Sequence, residues 1–486
     1  MAVTLAQLMG GKHADGAVEI AGLTVDSRSV QAGDMFVALP GNTIDGRAFI
    51  PDAVKAGATA ILTTPGVAVA SGVSVVEDHN PRRRYADLAA RFFGTQPETQ
   101  VAITGTNGKT SVADFTRQIW QSTGFEAASV GTLGVSSRKV NRPGGLTTPD
   151  PMALHADLKE LADAGVNHVA LEASSHGLDQ YRMDGVRFKA AAFTNLTRDH
   201  LDYHKTEQGY FYAKARLFGE LVDPGDAAVI NTDSSWGAVL EDIAWARGLE
   251  RLSIGSNKDA AIRLTGQTIA TGGQRMAFNY AGRSYDILLP LVGGFQAENA
   301  LLAAGLVLAT GGEPEAVFTA LECLVGVPGR MELIGVSQAG GSVFVDYAHT
   351  PDGLATVLNA ARRHEPKKLH VVFGCGGDRD VGKRPQMGSI ASKLADTIIV
   401  TDDNPRSENA GVIRSEILAA APGAREISDR GQAIEEAISN LAAGDMLVIA
   451  GKGHEEGQLV GKNMLPFSDI ETVKKILGSK VLKQRG

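Results

Sequence analysis

Cysteine is scarce in this sequence: 486 residues carry two, Cys323 in an apolar setting and Cys375 in a glycine-rich one. Neither belongs to a Cys-x-x-Cys pair, so no disulfide framework and no thiolate metal site is expected, and a reducing compartment is the plain inference. Basic runs are also missing. None is longer than Arg82-Arg83-Arg84, and the formal net charge is −8. The electrostatic footprint of a nucleic-acid binder is therefore absent, although a local positive pocket for small anions remains possible. No segment approaches the roughly 20 apolar residues of a membrane span. The N-terminus also lacks the basic region and apolar run of an export signal. The chain has no internal repeat and no low-complexity tract. A cytoplasmic protein without membrane insertion is the expectation, working as a monomer on small molecules.

What is present is the material of several hydrophobic cores, at 43% hydrophobic and 21% charged residues. The length exceeds what one core usually serves. Between residues 18 and 95, short apolar runs (Met35 to Leu39, Thr59 to Leu62, Val73 to Val76) alternate with turns and the helical stretch Pro51 to Ala56. That alternation reads as a small α/β domain, residues 1–95. A second unit, 96–328, opens at the strand Val101 to Thr104. It continues through a helix from Thr110 to Ser122 and strands at His168 to Leu171 and Ala190 to Phe193, and ends in the helix Glu298 to Leu308, which Gly311-Gly312 terminates. A third, 329–486, alternates strands Val343 to Asp346, Leu369 to Phe373, Thr397 to Val400 and Asp445 to Ala450 with a helix from Asp352 to Arg362. Such alternation implies a doubly wound, Rossmann-like sheet with ligand loops at the carboxyl ends of its strands.

The most informative segment is Gly105-Thr106-Asn107-Gly108-Lys109-Thr110-Ser111, which follows a strand and precedes a helix. Phosphate binding needs that context. Glycines let backbone amides face phosphate oxygens, Lys109 brings a mobile positive charge to the β and γ phosphates, and the hydroxyl of Thr110 or Ser111 can ligate magnesium. The first glycine lies closer to Gly108-Lys109 than in the general G-x-x-x-x-G-K-[ST] form, which points away from generic GTPases and kinases.

Thr-Gly-Thr-Asn-Gly-Lys-Thr resembles the ATP loop of the Mur ligases and of the related folylpolyglutamate synthases. The resemblance runs from about Leu23 to Glu455 and implies three domains: a small α/β N-terminal domain that binds a UDP precursor, a central P-loop-type ATPase domain with a mainly parallel sheet, and a Rossmann-like C-terminal domain. It also implies ATP and Mg2+ as cofactors. Glu172, at the end of an apolar strand, and His200, after another, look like the family's metal ligands. Taken alone, a strand-end Glu more often caps or pairs, and a lone His is more often a satisfied polar group. Lys214 reads by itself as a solvated surface charge on a helix. The family's matching lysine is carbamylated, which would let Lys214 join Thr110, Glu172 and His200 around magnesium.

The resemblance extends to the other substrates. Val25, Ser27, Asn42, Thr43 and Ile44 would line the UDP site, and Thr147, Thr148, Ser174, Gln180 and Arg182 would hold the muramoyl-peptide acceptor. Without the family, Thr148 or Asp150 would be ordinary helix caps. Asn299 matches the adenine-side asparagine, while Gln296 replaces the usual Asn of that helix start. Arg330 would reach the γ-phosphate, and Asp346 and Tyr347 the nucleoside. Asp403-Asn404-Pro405-Arg406 resembles the signature of the diaminopimelate-adding members, with Arg379 for a carboxylate and Gly451 and Glu455 on the side of an ammonium. Arginine can clasp a distal carboxylate with two parallel hydrogen bonds. Lysine-adding relatives depart at the Arg406 position. The implied chemistry is ATP-driven amide formation through an acyl phosphate, for which His349 or Asp346 could serve as base. The rival readings are a lysine-adding Mur ligase, a folylpolyglutamate synthase, and, from another class, a P-loop regulatory or transport ATPase.

Overall fold

The computed structural model describes residues 2–11, 14–41, 44–270 and 273–478. Three separate sheets carry the fold. The first is four-stranded and parallel, in the order β1 (Leu23–Thr24), β2 (Met35–Val37), β3 (Ala60–Thr63), β4 (Ser74–Glu77), with α1 (Ile50–Lys55) and α2 (Pro81–Phe93) packed on it. Asn80 caps α2 and Pro81 occupies its first turn, a start that needs no backbone donor there. From α2, Arg83 reaches the buried Asp184 at 3.1 Å, which ties this unit to the next.

The central sheet has eleven strands. In chain order they are β5 (Thr99–Thr104), β6 (Ala127–Gly131), β7 (Gly134–Ser137), β8 (Asn141–Arg142), β9 (His168–Glu172), β10 (Phe188–Phe193), β11 (Val222–Asn231), β12 (Glu250–Gly255), β13 (Ile262–Ala270), β14 (Gly273–Tyr280) and β15 (Arg283–Leu289). In space, β5 lies between β9 and β10, all parallel. The loops leaving the carboxyl ends of these three strands therefore open side by side, where an open α/β sheet places its ligands. The sheet is parallel from β6 across to β13, and antiparallel strands extend it on both sides, at β7–β8 and β14–β15. Helix α3 (Lys109–Ser122) buries Val112, Phe115, Ile119 and Trp120. Their spacing makes one apolar face, and each side chain contributes roughly 1.5–3 kcal/mol by leaving water. Asp150 caps α4 (Pro151–Asp163), accepting from the N–H groups of Met152 and Ala153. Helix α5 (Glu207–Arg216) continues into a wider turn, and α6 (Phe295–Ala309) is buried almost all round. It starts three residues before the apolar pattern, so Gln296 and Asn299 belong to its first turns.

The third sheet runs β16 (Glu332–Val336), β17 (Ser342–Asp346), β21 (Met446–Ala450), β18 (Leu369–Phe373), β19 (Thr397–Val400), β20 (Arg425–Glu426), parallel except for β16. Thr350 caps α7 (Pro351–Arg363), α8 (Lys383–Leu394) follows β18, and α9 (Asp469–Leu477) covers the far face behind the hairpin β22 (Gly457–Val460) and β23 (Asn463–Pro466). Crossing between the second and third units, Asn107 donates to Asp352 at 3.2 Å and Arg198 pairs with Asp380 at 3.4 Å. Among the described residues, no helix is long and apolar enough to cross a membrane.

Candidate functional site

A cavity of about 480 Å³ opens at the ends of β5, β9 and β10 and is roofed by the start of the third unit. Its floor is the loop Thr106–Ser111. Two glycines there cannot be replaced without moving backbone or neighbours. Gly105 has φ +146°, with a Cβ falling 1.9 Å from Thr194 Oγ1, and Gly108 has φ +89°, with a Cβ falling 2.5 Å from Asn299 Oδ1. Lys109 folds back on its own loop, donating to the carbonyls of Gly105 (2.9 Å) and Thr106 (2.8 Å). Arg330 lies over the Tyr347 ring at 4.3 Å and donates to Thr110 Oγ1 at 3.2 Å, so the segment entering the third unit does reach the phosphate loop.

Glu172 is buried at the end of β9. Its carboxylate accepts from Thr110 Oγ1 (3.0 Å), from the Thr132 N–H (2.7 Å) and from the Thr132 hydroxyl (3.2 Å). Thr132 escaped the sequence reading because a threonine after a small-residue strand carries no signal of its own. A carboxylate beside a hydroxyl at a phosphate loop suits magnesium, a hard cation that takes few protein ligands and keeps waters and phosphate oxygens. Among the described residues, no group of three or more His, Cys, Asp and Glu side chains forms a ready-made metal site. Glu172 and Thr110, already joined, are placed where they would hold such an ion.

His200 stands in the left-handed region (φ +53°), its N–H held by Asp199 Oδ1 at 2.8 Å and its Nε2 3.4 Å from Asp199 Oδ2. Burial lowers its pKa to about 4, which keeps the imidazole neutral and its lone pair available. Lys214 departs most from its sequence expectation. Instead of a solvated surface charge it is 1% exposed, over the Tyr210 ring at 4.4 Å, donating to the Gly105 carbonyl at 2.8 Å. Burial, with Lys109 nearby, pushes its pKa well below the ordinary lysine value. As an amine nitrogen it suits a hard cation such as magnesium poorly; as a carbamate it would offer oxygens.

Asp346 lines the same cavity as the phosphate loop. Both carboxylate oxygens are taken by backbone N–H groups, of Met331 (2.6 Å) and Ala348 (2.7 Å), and burial raises its pKa to about 6. It braces the turn that carries Arg330 and Tyr347. Asn299 Nδ2 donates to Gln296 Oε1 at 3.0 Å, so the unusual Gln296 props the asparagine against Gly108. Phe295, Leu302 and Val357 add apolar surface to the lining of the same cavity. As ordinary core residues they had no sequence signature.

A second cavity of about 190 Å³ adjoins the first and is lined by Arg379, Lys383, Asp403, Asn404, Arg406, Gly451 and Glu455 among others. Asp199, His200, Tyr347 and His349 line both cavities. Arg406 has φ +53°. Its Nη1 donates to the Gly377 carbonyl at 2.9 Å, and its backbone is held by Leu459 of the hairpin at 3.0 Å. Pro405 contributes through backbone, and a Cβ on Gly377 would fall 2.0 Å from its carbonyl. Next to the first cavity, Thr147 Oγ1 is 3.0 Å from Thr132 Oγ1. Arg182 donates to the Thr148 carbonyl (2.8 Å) and to Gln180 (2.7 Å). Thr148 itself is buried, its hydroxyl donating to the Glu172 carbonyl and accepting the Ser174 N–H, and Ser174 Oγ caps a short helix. These two hydroxyls build the wall and are already engaged within it. In the first unit, Val25 and Ile44 are exposed and Ser27 begins a short 3-10 turn; Asn42 and Thr43 lie outside the described residues.

A glycine-rich phosphate loop, a buried carboxylate beside it and two joined cavities at a domain junction define a nucleotide-binding α/β enzyme. Three family models match the chain: "Mur ligase family, catalytic domain" over 19–92, "Mur ligase middle domain" over 103–307, and "Mur ligase, glutamate ligase domain" over 329–453. The UDP-N-acetylmuramoyl-L-alanyl-D-glutamate--2,6-diaminopimelate ligase of Bradyrhizobium diazoefficiens is 53% identical over 476 residues, 96% of each chain. That of Rhizobium meliloti is 53% identical over 463 residues, 95% of each. A solved structure of a ligase with the same name superposes with a TM-score of 0.71 at 32% identity, covering 98% of this chain and 99% of that one. The chain belongs to the Mur ligase family.

Proposed function

We propose that this protein uses ATP to join meso-diaminopimelate to UDP-N-acetylmuramoyl-L-alanyl-D-glutamate, a step of peptidoglycan synthesis. The observation that carries this reading is the meeting of the two cavities. One is floored by a phosphate loop, the other is lined by Arg379 and Arg406, and Asp199, His200, Tyr347 and His349 line both. A carboxylate activated at the nucleotide can then be met by an amino acid with an extra carboxylate across a shared wall. ATP and a UDP-linked precursor as substrates fit a cytoplasmic site of action.

In this reading the glutamyl carboxylate attacks the γ-phosphorus and ADP leaves, giving an acyl phosphate. Lys109 and Arg330 neutralise charge on the phosphoryl oxygens, the main source of rate in such transfers. Magnesium held by Glu172 and Thr110 would add the same kind of stabilisation. Burial disfavours the ammonium form of Lys214, and its neutral amine would attack CO2 and lose a proton to become a carbamate. The amine of diaminopimelate then adds to the acyl carbon, and phosphate departs with the electron pair of the broken C–O bond. Asp346 is engaged by two backbone donors, which favours His349 as acceptor of the amine's proton. Its Nδ1 lies 2.9 Å from the Tyr347 carbonyl and must carry hydrogen, leaving Nε2 with a lone pair. The enclosing residues of the third unit exclude water that would otherwise hydrolyse the acyl phosphate.

Isotope transfer tests the route. With the glutamyl γ-carboxylate labelled with oxygen-18, one labelled oxygen should leave in each inorganic phosphate; unlabelled phosphate would exclude an acyl phosphate. The lysine-adding alternative is disfavoured because lysine has no distal carboxylate for the second of the two arginines, Arg379 and Arg406, that line the smaller cavity.

A further inference from the structure

Lys452 is 0% exposed, in the loop between β21 and the hairpin β22–β23. Its Nζ donates to Asn404 Oδ1 at 3.0 Å, to Glu455 Oε2 at 3.1 Å and to the Gly457 carbonyl at 2.7 Å. An ammonium has three donors, so this one is saturated and has none left for a substrate. Its effect falls instead on two residues of the smaller cavity. Asn404 Oδ1 also accepts the Leu459 N–H at 2.9 Å. Two donors on that oxygen fix the orientation of the amide and turn Nδ2 onto Glu455 Oε2, 3.0 Å away. Glu455 Oε2 thus takes two hydrogen bonds, while among the described residues its Oε1 takes none, and Glu455 lines the cavity.

We propose that Lys452 is a positioning residue that sets amino-acid specificity: it locks Asn404 and Glu455 so that one carboxylate oxygen is left to receive a second, distal ammonium on the substrate. This rests on the smaller cavity being the amino-acid site. Without Lys452, Asn404 loses one of the two donors that set its amide, Glu455 loses the cation that anchors it, and the part-buried Gly457 carbonyl loses its lysine donor. The lock therefore distinguishes a diamino diacid from a diacid with one amine, although Lys452 touches neither.

Steady-state kinetics of the full-length enzyme test this with meso-diaminopimelate and with 2-aminopimelate, which lacks the distal amine. Lys452→Met should raise the KM for diaminopimelate by about 10-fold or more, the scale of a lost charged hydrogen bond. Discrimination between the two amino acids should fall towards one, with the KM for ATP unchanged. Lys452→Gln, which keeps a donor, carries the test if the Met variant does not fold. Because Lys452 acts through Glu455, the double variant Lys452→Met/Glu455→Gln should bind diaminopimelate no worse than Glu455→Gln alone. Folded variants with full discrimination, or penalties that simply add, would overturn the role of Lys452. A silent Glu455→Gln would overturn the site reading itself.

Discussion

Replacing Arg406 by lysine isolates what its guanidinium does. Charge is kept, and so is the backbone demand, because the left-handed φ of +53° is no harder for lysine than for arginine. The hydrogen bonds of the main chain to the hairpin survive as well. What disappears is the planar fork, whose Nη1 is anchored on the carbonyls of Gly377 (2.9 Å) and Asn404 (3.4 Å) while Nε and Nη2 have no hydrogen-bond partner among the described residues. A carboxylate held by two parallel donors from Arg406 is then held by a single mobile ammonium. The loss is about one charge-assisted hydrogen bond, ~1.5–3 kcal/mol. At about 1.4 kcal/mol per decade, kcat/KM for diaminopimelate should fall roughly 10- to 150-fold. Phosphate release at saturating ATP and UDP precursor, with diaminopimelate varied, measures this directly. The reasoning fails if the KM for diaminopimelate is unchanged, or if the KM for ATP rises in parallel.

Other consequences follow from buried charge. Arg430 and Asp469 are both 0% exposed and joined by two contacts of 2.7 Å, pinning α9 beneath the loop after β21. Asp469→Asn should destabilise the third unit by about 3–5 kcal/mol, the cost of stranding one partner of a buried pair; a denaturant midpoint that barely moves would contradict this. Lys214 has a folded-state pKa well below its ordinary value, so between the two values the unfolded chain binds more protons and stability rises with pH. In CO2-free buffer, Lys214→Met should therefore raise Tm at neutral pH, with the gain vanishing as pH approaches the ordinary lysine value. A gain that grew with pH would show the sign to be wrong. The same variant should lose ligase activity.

The strand, loop and helix around Gly105 to Ser111 were readable because three local signals coincide there: a β-branched apolar run, glycines where φ is positive, and a helix starting at Lys109. Strand ends at Glu172, Asp346 and Ala450 were legible for the same reason, since buried parallel strands read as short apolar runs. The strands from Ile262 to Leu289 were not, because an exposed antiparallel extension carries mixed polar residues. Side-chain roles depended on distances that only the fold sets. Lys214 reads as surface on its helix, and only the packing of α5 against the phosphate loop buries it. Asp346 sits in a motif yet spends both oxygens on its own turn. Lys452 lies inside a motif whose glycines and Glu455 draw the eye, while its three bonds reach residues as far away in sequence as Asn404. The two-cavity arrangement itself has no sequence signal, because Asp199 and His349 come from different units and meet only where these join.

The most direct test is phosphate release from ATP by the purified enzyme with UDP-N-acetylmuramoyl-L-alanyl-D-glutamate, comparing meso-diaminopimelate with L-lysine and weighing the product by mass spectrometry. Release with diaminopimelate alone, together with the mass of the UDP-linked tripeptide, is the expected result. Equal release with lysine would contradict the assignment of Arg379 and Arg406, and release indifferent to either amino acid would contradict the ligase reading altogether.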